Sequence, residues 1–298
     1  MNLSMSRRLK KIITTPEPSF LMEAHSGLSA KLVERAGFQG IWASGLTIAT
    51  ALGLRDANEV SSTQFQEQVE YILDSVDIPV LIDGDTGHGN FNNARRFVHK
   101  MCNRGVAGIC IEDKLFPKKN SFINDKQELE DINTFCGKIA ACKDVQPDPD
   151  FLVIARVEAL IAGHSMDEAL DRAYAYADAG ADAILIHSKK QTAAEIIEFS
   201  NRWNEHLPLV IVPTTYAKTP ADVFRSAKIS LVIWANHTLR ASIKAMGVAC
   251  RQVAALSSVS NIERDIASIE EIFQLLNYQE LDCAEARYLT NFKRELRA

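Results

Sequence analysis

Eight short apolar runs, at 20–24, 40–44, 80–83, 108–112, 152–157, 183–187, 209–214 and 231–235, recur along this chain. Each leads into a polar or glycine-containing turn and then into a stretch with helical periodicity, at 29–36, 63–76, 92–104, 128–143, 165–179, 193–204, 219–228 and 239–256. Short runs that are apolar throughout suit strands buried on both faces, and strands that alternate with helices pair in parallel. Eight such units in one domain predict a (β/α)8 barrel rather than an open doubly wound sheet. Gly37, Gly105 and Gly180 stand where a helix gives way to the next apolar run, which predicts left-handed helix caps. No linker or low-complexity stretch divides the 298 residues, so one domain spanning 1–298 is expected.

Two segments lie outside the repeat. Residues 1–18 carry Arg7, Arg8, Lys10 and Lys11, and the apolar pair Ile12-Ile13 is far too short for a secretory signal. An amphipathic helix with Leu9, Ile12 and Ile13 turned inward, covering the bottom of the barrel, is expected there. In the extension 259–298, Ile262, Ile266, Ile269, Phe273 and Leu276 recur at spacings of three and four, the pattern of an amphipathic helix, and a second helical segment surrounds Ala284. A barrel is complete without these helices, so their apolar faces pack on its outside or on another subunit.

Bulk properties exclude several partners. A net charge of −5 and a pI near 5.8 give no electrostatic reason to expect nucleic acid or a membrane surface. No apolar run is long enough to span a bilayer. The six cysteines include no Cys-x-x-Cys pair and read as reduced thiols of a cytoplasmic protein.

Active sites of such barrels gather at the carboxyl ends of the strands. The third run ends in Asp83-Gly-Asp85, two acids whose side chains leave an extended chain on one face, followed by Gly87 and Gly89. One acid at a strand end usually caps the next helix. Two in register, with Glu112 at the end of the fourth run, favour a hard divalent cation such as Mg²⁺. The second run ends in Trp42-Ala-Ser44-Gly45-Leu46, where hydroxyl and amides suit an anion or simply form a tight turn. Arg156 and His187 end the fifth and sixth runs, and Lys118 follows the fourth. Singly, each has a structural explanation, an ion pair or a satisfied core histidine. Together they oppose a cation-binding acid group with a set suited to carboxylate or phosphoryl oxygens. A small polyanion fits between them.

At this point the residues resemble a known family. The segments Met22-Glu-Ala-His-Ser-Gly-Leu-Ser-Ala, Trp42-Ala-Ser-Gly-Leu, Leu54-Arg-Asp-Ala-Asn-Glu, Asp83-Gly-Asp-Thr-Gly-His-Gly-Asn-Phe-Asn-Asn, Glu112-Asp-Lys-Leu-Phe-Pro-Lys-Lys-Asn-Ser, Ala155-Arg-Val-Glu-Ala, His187-Ser-Lys-Lys and Ile233-Trp-Ala-Asn-His are similar to those of the isocitrate lyase/phosphoenolpyruvate mutase superfamily, within its mutase family. They cover about residues 20 to 240, most of the barrel.

The resemblance implies an isomerase of phosphonate biosynthesis that interconverts phosphoenolpyruvate and phosphonopyruvate. It implies Mg²⁺, with Mn²⁺ an alternative, held by Asp83, Asp85 and Glu112 directly or through water. Ser44 and the amides of Gly45 and Leu46 would hold the substrate carboxylate, with Trp42 against the enolate face. Arg156 and His187 would bind phosphoryl oxygens, Asp56 would orient the transferring group or accept it, and Lys118, Asn120 and Ser121 would sit on a loop, 113–130, that closes over the site. The C-terminal helices would be exchanged between subunits in a homotetramer, a dimer of dimers. Lyases of the superfamily carry a cysteine in that loop, whereas Lys114-Leu-Phe-Pro-Lys-Lys-Asn-Ser has none. Phosphonopyruvate hydrolase, the alternative activity, tends to carry Thr where this chain has Asn120. A catalytically dead barrel that only binds small oxyanions or a protein partner is a third reading, disfavoured by the retention of every polar group named. Two departures are His88, where the family turn has Tyr, and Gly84, where it has Ala.

Overall fold

The computed structural model describes residues 3–123 and 127–295. Eight strands follow one another around a closed parallel barrel, each paired with its sequence neighbours, and the eighth closes on the first. They are β1 (Ser19–Ala24), β2 (Ile41–Ala43), β3 (Val80–Asp83), β4 (Gly108–Glu112), β5 (Leu152–Val157), β6 (Ala183–Ile186), β7 (Leu209–Ile211) and β8 (Leu231–Trp234). The helices are α1 (Met5–Ile13), α2 (Gly27–Arg35), α3 (Gly45–Ala51), α4 (Ser62–Leu73), α5 (Phe91–Asn103), α6 (Ile132–Val145), α7 (Met166–Asp178), α8 (Ala194–Trp203), α9 (Ala221–Ser226), α10 (His237–Leu256), α11 (Ile269–Leu275) and α12 (Tyr278–Glu295). The (β/α)8 expectation holds.

Two buried clusters explain the architecture. Alternate strand residues such as Leu21, Leu81, Cys110, Ile154, Leu185, Val210 and Ile233 fill the barrel interior, and Leu9 and Ile13 of α1 join them. Hydrogen bonds and ion pairs tie α1 to the amino ends of the strands: Ser19 Oγ donates to Ile12 O at 3.0 Å, and Lys10 pairs with Asp150 at 2.9 Å. The opposite parity, including Ile82, Ile109, Ile111, Val153 and Ile184, packs with Phe65, Phe97, Phe135, Phe199 and Trp203 of the surrounding helices. Each fully buried side chain of this kind contributes about 1.5–3 kcal/mol of transfer free energy. Gly37, Gly105 and Gly180 have φ of 87°, 86° and 101°, the left-handed caps expected of them.

Several boundaries differ from expectation for local reasons. Ser44 does not extend β2 but caps α3, a helix that the sequence reading took as a turn; its Oγ accepts from the N–H of Thr47 at 3.4 Å. β7 stops before Pro213, which has no N–H for the ladder. α6 starts later than residue 128 because Asp131 caps it, accepting from Thr134 N–H at 3.0 Å. The amphipathic pattern from Ile262 is not one helix, since only 269–275 are helical and Ile262 and Ile266 lie in turns.

The chain divides into two compact units, Met1–Leu239 and Arg240–Ala298. The second contains most of α10 with α11 and α12 and carries exposed apolar side chains, among them Ile269, Ile272, Phe273 and Leu276. All six cysteines are free; Cys102, Cys110 and Cys142 are buried, Cys136 is half-buried, and Cys250 and Cys283 are exposed. Among the described residues no helix is long and apolar enough to cross a membrane.

Candidate active site

Inward-facing parity continues past the apolar interior to the carboxyl ends of the strands, and there it becomes polar. The series Leu81–Asp83, Cys110–Glu112, Ile154–Arg156 and Leu185–His187 each end in a charged or titratable group. Parallel register sets Glu112 beside Arg156. The cavity above the interior is lined by Trp42, Ser44, Leu46, Asp56, Asp83, Glu112, Lys118, Asn120, Ser121, Arg156 and His187. Those are eleven of the thirteen site residues singled out from the sequence. Gly45 and Asp85 lie immediately behind them, because Gly45 N–H donates to Asp83 Oδ2 at 3.2 Å and Asp85 is ion-paired to Lys118. Gly45 therefore departs from expectation, its amide engaged by a carboxylate of the chain itself. A Cβ at Gly45 would stand 2.9 Å from Asp85 Oδ1 and 3.3 Å from Asp83 Oδ2, so only glycine leaves these acids their room.

Asp83, Asp85 and Glu112 are all nearly inaccessible. Burial, reinforced by Asp85 and Glu112 and opposed by Lys118 and Arg156, pushes Asp83 up to about 6. Burial likewise pushes Asp85 to about 6, with Lys118 opposing and Asp56 and Glu112 adding to the rise. Glu112 Oε1 is buried with no hydrogen-bond partner, and its ion pairs are long, 3.6 Å from Oε1 to Lys114 Nζ and 3.4 Å from Oε2 to Arg156 Nε. These are the marks of negative charge in excess of the cation the chain supplies. Among the described residues no three His, Cys, Asp or Glu side chains are already gathered around one metal position. Mg²⁺ keeps several of its waters and takes one or two carboxylates directly, so the acid group fits such an ion without a complete protein cage.

Beside the acids lies a cationic group organised by Glu158, which the sequence reading raised only as an ion-pair partner of Arg156 and not as a site residue. Glu158 is fully buried; its Oε1 lies 2.5 Å from Arg156 Nε and 2.7 Å from His187 Nδ1, and its Oε2 lies 3.2 Å from Lys114 Nζ. Ser121 Oγ also donates to Glu158 Oε2, at 2.8 Å, and Lys114 Nζ donates to Ser121 at 2.6 Å. Burial raises the Glu158 carboxyl, but Arg156, His187 and Lys114 outweigh it and hold the group well below the usual range. Burial lowers His187, against the pull of Glu158. Below this group Asp113 accepts from Tyr176 Oη at 2.7 Å and from Glu158 N–H at 2.9 Å, anchoring the strand ends to α7. Lys114 and Glu158 continue the inward alternation beyond Glu112 and Arg156, and that parity was the signal that could have found them.

A loop joins the two groups. Lys118 Nζ lies 2.7 Å from Asp56 Oδ1 and is also paired with Asp85, and Asn120 Nδ2 donates to Asp56 Oδ2 at 2.7 Å. Burial raises Asp56, but the Lys118 charge and hydrogen bond, with Asn120, outweigh it and lower the carboxyl. Of the expected loop 113–130, residues 124–126 lie outside the described residues. His88 takes over the aromatic role expected of Tyr: its ring centroid is 4.4 Å from that of Phe97, and burial lowers its pKa to about 4. At Gly84 a Cβ would stand 2.5 Å from the Ile109 side chain, so alanine would force that residue to move.

A closed parallel barrel that gathers buried acids and basic side chains in one cavity at the carboxyl ends of its strands has the layout of an enzyme. The family profile of phosphoenolpyruvate phosphomutase matches residues 9–254, and the chain belongs to that family, whose mutases are isomerases. It is 51% identical over 283 residues to the phosphoenolpyruvate phosphomutase of Tetrahymena pyriformis, covering 95% of this chain and 94% of the relative. Identity to the phosphonopyruvate hydrolase of Variovorax sp. (strain Pal2) is 42%, over 90% of this chain and 93% of the relative. The crystal structure of phosphoenolpyruvate phosphomutase from Streptomyces platensis subsp. rosaceus is similar with a TM-score of 0.93 at 43% identity, covering 95% of this chain and 99% of that one. A phosphonopyruvate hydrolase solved in complex with oxalate and Mg²⁺ is similar with a TM-score of 0.90 at 39% identity, covering 96% and 100% of the two chains.

Proposed function

We propose that this chain is a Mg²⁺-dependent isomerase that interconverts phosphoenolpyruvate and phosphonopyruvate and so supplies phosphonate biosynthesis. One observation carries the reading: a single cavity gathers buried acids, two of them raised to about 6 despite the cations beside them, with Arg156, His187 and Lys118. In the reaction the bond from phosphorus to the enol oxygen breaks and a bond from phosphorus to carbon three forms, with no net gain or loss of water. Mg²⁺, held by Asp83, Asp85 and Glu112 directly or through water, supplies positive charge to the enolate oxygens when bound, and Mn²⁺ fits the same oxygen donors. The Mg²⁺ in the related hydrolase complex supports this assignment.

The chain's own groups do the rest. Ser44 and the Leu46 amide, with Gly45 beside them, hold the carboxylate, and Trp42 covers the enolate. Arg156 and His187, already oriented by Glu158, bind the phosphoryl oxygens and stabilise charge during a loose transfer. Asp56 orients the transferring group or accepts it transiently. Lys118, Asn120 and Ser121 bring the loop over the site and exclude water. Asn120 has both ends of its amide engaged, Nδ2 on Asp56 and Oδ1 accepting from Phe122 N–H at 3.0 Å, which leaves it poorly placed to activate water. That favours transfer over hydrolysis, the second reading raised by the 42% identical hydrolase.

The chain would act as one domain, with a helix at 1–18 and an extension at 259–298, in the cytoplasm. Residues 1–2 and 296–298 of those segments lie outside the described residues. The exposed apolar residues of the second unit support exchange of C-terminal helices in a homotetramer. Light scattering on the full chain and on a truncation after Ser258 tests this; a monomer in both would sink it. Phosphorus NMR with phosphonopyruvate and Mg²⁺, with chelator as control, tests the reaction. Phosphoenolpyruvate is the expected product, reached to the same ratio from either side. Release of inorganic phosphate with pyruvate would make the chain a hydrolase.

A further inference from the structure

We propose that Asn58 is a positioning residue that holds the Asp85 carboxylate and the Lys118 backbone together through one side-chain amide. The turnover part of this inference rests on the reaction proposed above. Asn58 lies between α3 and α4, two residues beyond Asp56. Its Nδ2 donates to Asp85 Oδ2 at 3.0 Å, and its Oδ1 accepts from Lys118 N–H at 2.6 Å. The α3–α4 loop, the end of β3 and the loop after β4 thus meet at one neutral group.

The chemistry explains why an amide serves here. Lys118 holds Asp85 through Oδ1, while Asp56 and Glu112 repel the ionised group, so Oδ2 needs a partner of its own to keep the carboxylate in place. A donor on Oδ2 fixes the orientation, and a neutral one adds no charge to compete with a bound cation. The same side chain must also accept from a backbone N–H. Asn offers a donor and an acceptor at the two ends of a short stem, whereas ionised Asp offers acceptors only. Asn58 has φ of 57°, a left-handed conformation that Asn, Asp and Gly all tolerate. Forming the turn therefore does not by itself require the amide.

That tolerance makes the test clean. Asn58→Asp keeps the turn and an acceptor for Lys118 N–H but sets a carboxylate against Asp85. Asn58→Gly keeps the turn and removes both contacts. Three measurements apply to the full chain: kcat and KM with phosphonopyruvate and Mg²⁺, binding of Mn²⁺ alone to substrate-free protein, and hydrogen exchange of the Lys118 amide. In both variants kcat should fall by about 10- to 100-fold with KM moving less than about 3-fold, since small misplacements cost on this scale. In Asn58→Gly, Mn²⁺ affinity should fall about 10-fold, as for loss of other groups that orient metal ligands. Exchange of the Lys118 amide should quicken in Asn58→Gly and stay near the parent in Asn58→Asp. If both variants keep parental kcat, Mn²⁺ affinity and Lys118 protection, Asn58 only forms a turn and the proposal is overturned. If even the parent fails to turn over phosphonopyruvate, the reaction assignment has failed, and the Mn²⁺ and exchange results decide the role of Asn58 by themselves.

Discussion

Two groups of buried carboxylates share this cavity and behave in opposite ways. Asp83 and Asp85 are pushed up to about 6, chiefly by burial, with too little positive charge nearby to offset it. Glu158 is as deeply buried yet held well below its usual range, because Arg156, His187 and Lys114 converge on it. Burial is the largest influence on all three, so the surroundings decide the outcome. Glu158 is satisfied within the chain and serves to orient its cationic neighbours. Asp83 and Asp85, even with Lys118 beside them, remain raised, and in the proposed reading a bound cation supplies the missing charge. Unmatched charge marks the place where a ligand ion belongs, and matched charge marks scaffolding.

The contrast has consequences that can break it. The largest concerns Asp83→Asn, which should lower turnover on the order of 10³-fold, the scale of losing a main electrostatic contact to the reacting group. In chelator at pH 7.5 the same variant should unfold at no lower denaturant concentration than the parent, since it removes an unmatched buried charge. A clear loss of metal-free stability would show that the acid group is as well paired as Glu158. Next comes Glu158→Gln, which strands Arg156 and Lys114 without their carboxylate and should cost about 3–5 kcal/mol in urea unfolding. A cost below about 1 kcal/mol would remove Glu158 from its role as organiser.

A smaller effect is the pH dependence of metal stabilisation. The acids at about 6 bind protons in the folded state that their unfolded counterparts, near 3.8, have lost, so metal-free stability falls as pH rises from about 4 to 6. Glu158 has the opposite sign, because its depressed pKa contributes stability above about pH 4.5 that is lost as pH falls through the folded value. Bound Mg²⁺ needs the ionised acids, so its shift of the melting temperature should be larger at pH 7.5 than at pH 5. An equal shift at both would mean that these carboxylates do not hold the ion. Smallest is His88→Tyr: His88 is neutral at pH 7, and the change should alter stability by less than about 1.5 kcal/mol and leave the pH profile of turnover in place. A displaced profile would bring His88 into the charged group.

Much of this was legible in the sequence, and particular residues show why. Asp83, Glu112, Arg156 and His187 stand in step with the apolar alternation before them, so period and strand end together located them. Lys114 and Glu158 obey the same parity but lie beyond the apolar run, where pairing rather than composition reveals their work. Asn58 carries no such signal, since nothing in its neighbours says that it will meet Asp85, 27 residues further on, and Lys118, 60 residues further on. Ser44 looked like a strand end and proved a helix cap, a choice made by the local hydrogen bond to Thr47.

By itself the sequence determined the barrel, because eight apolar runs separated by helices leave few ways to bury both faces of every strand. It also determined which residue types collect at the carboxyl ends, because side-chain direction in a strand is fixed by parity. Only the tertiary structure decided which charges are matched. Burial and Coulomb interactions depend on distances of a few ångströms between segments far apart in the chain, and pattern along one strand carries no record of them.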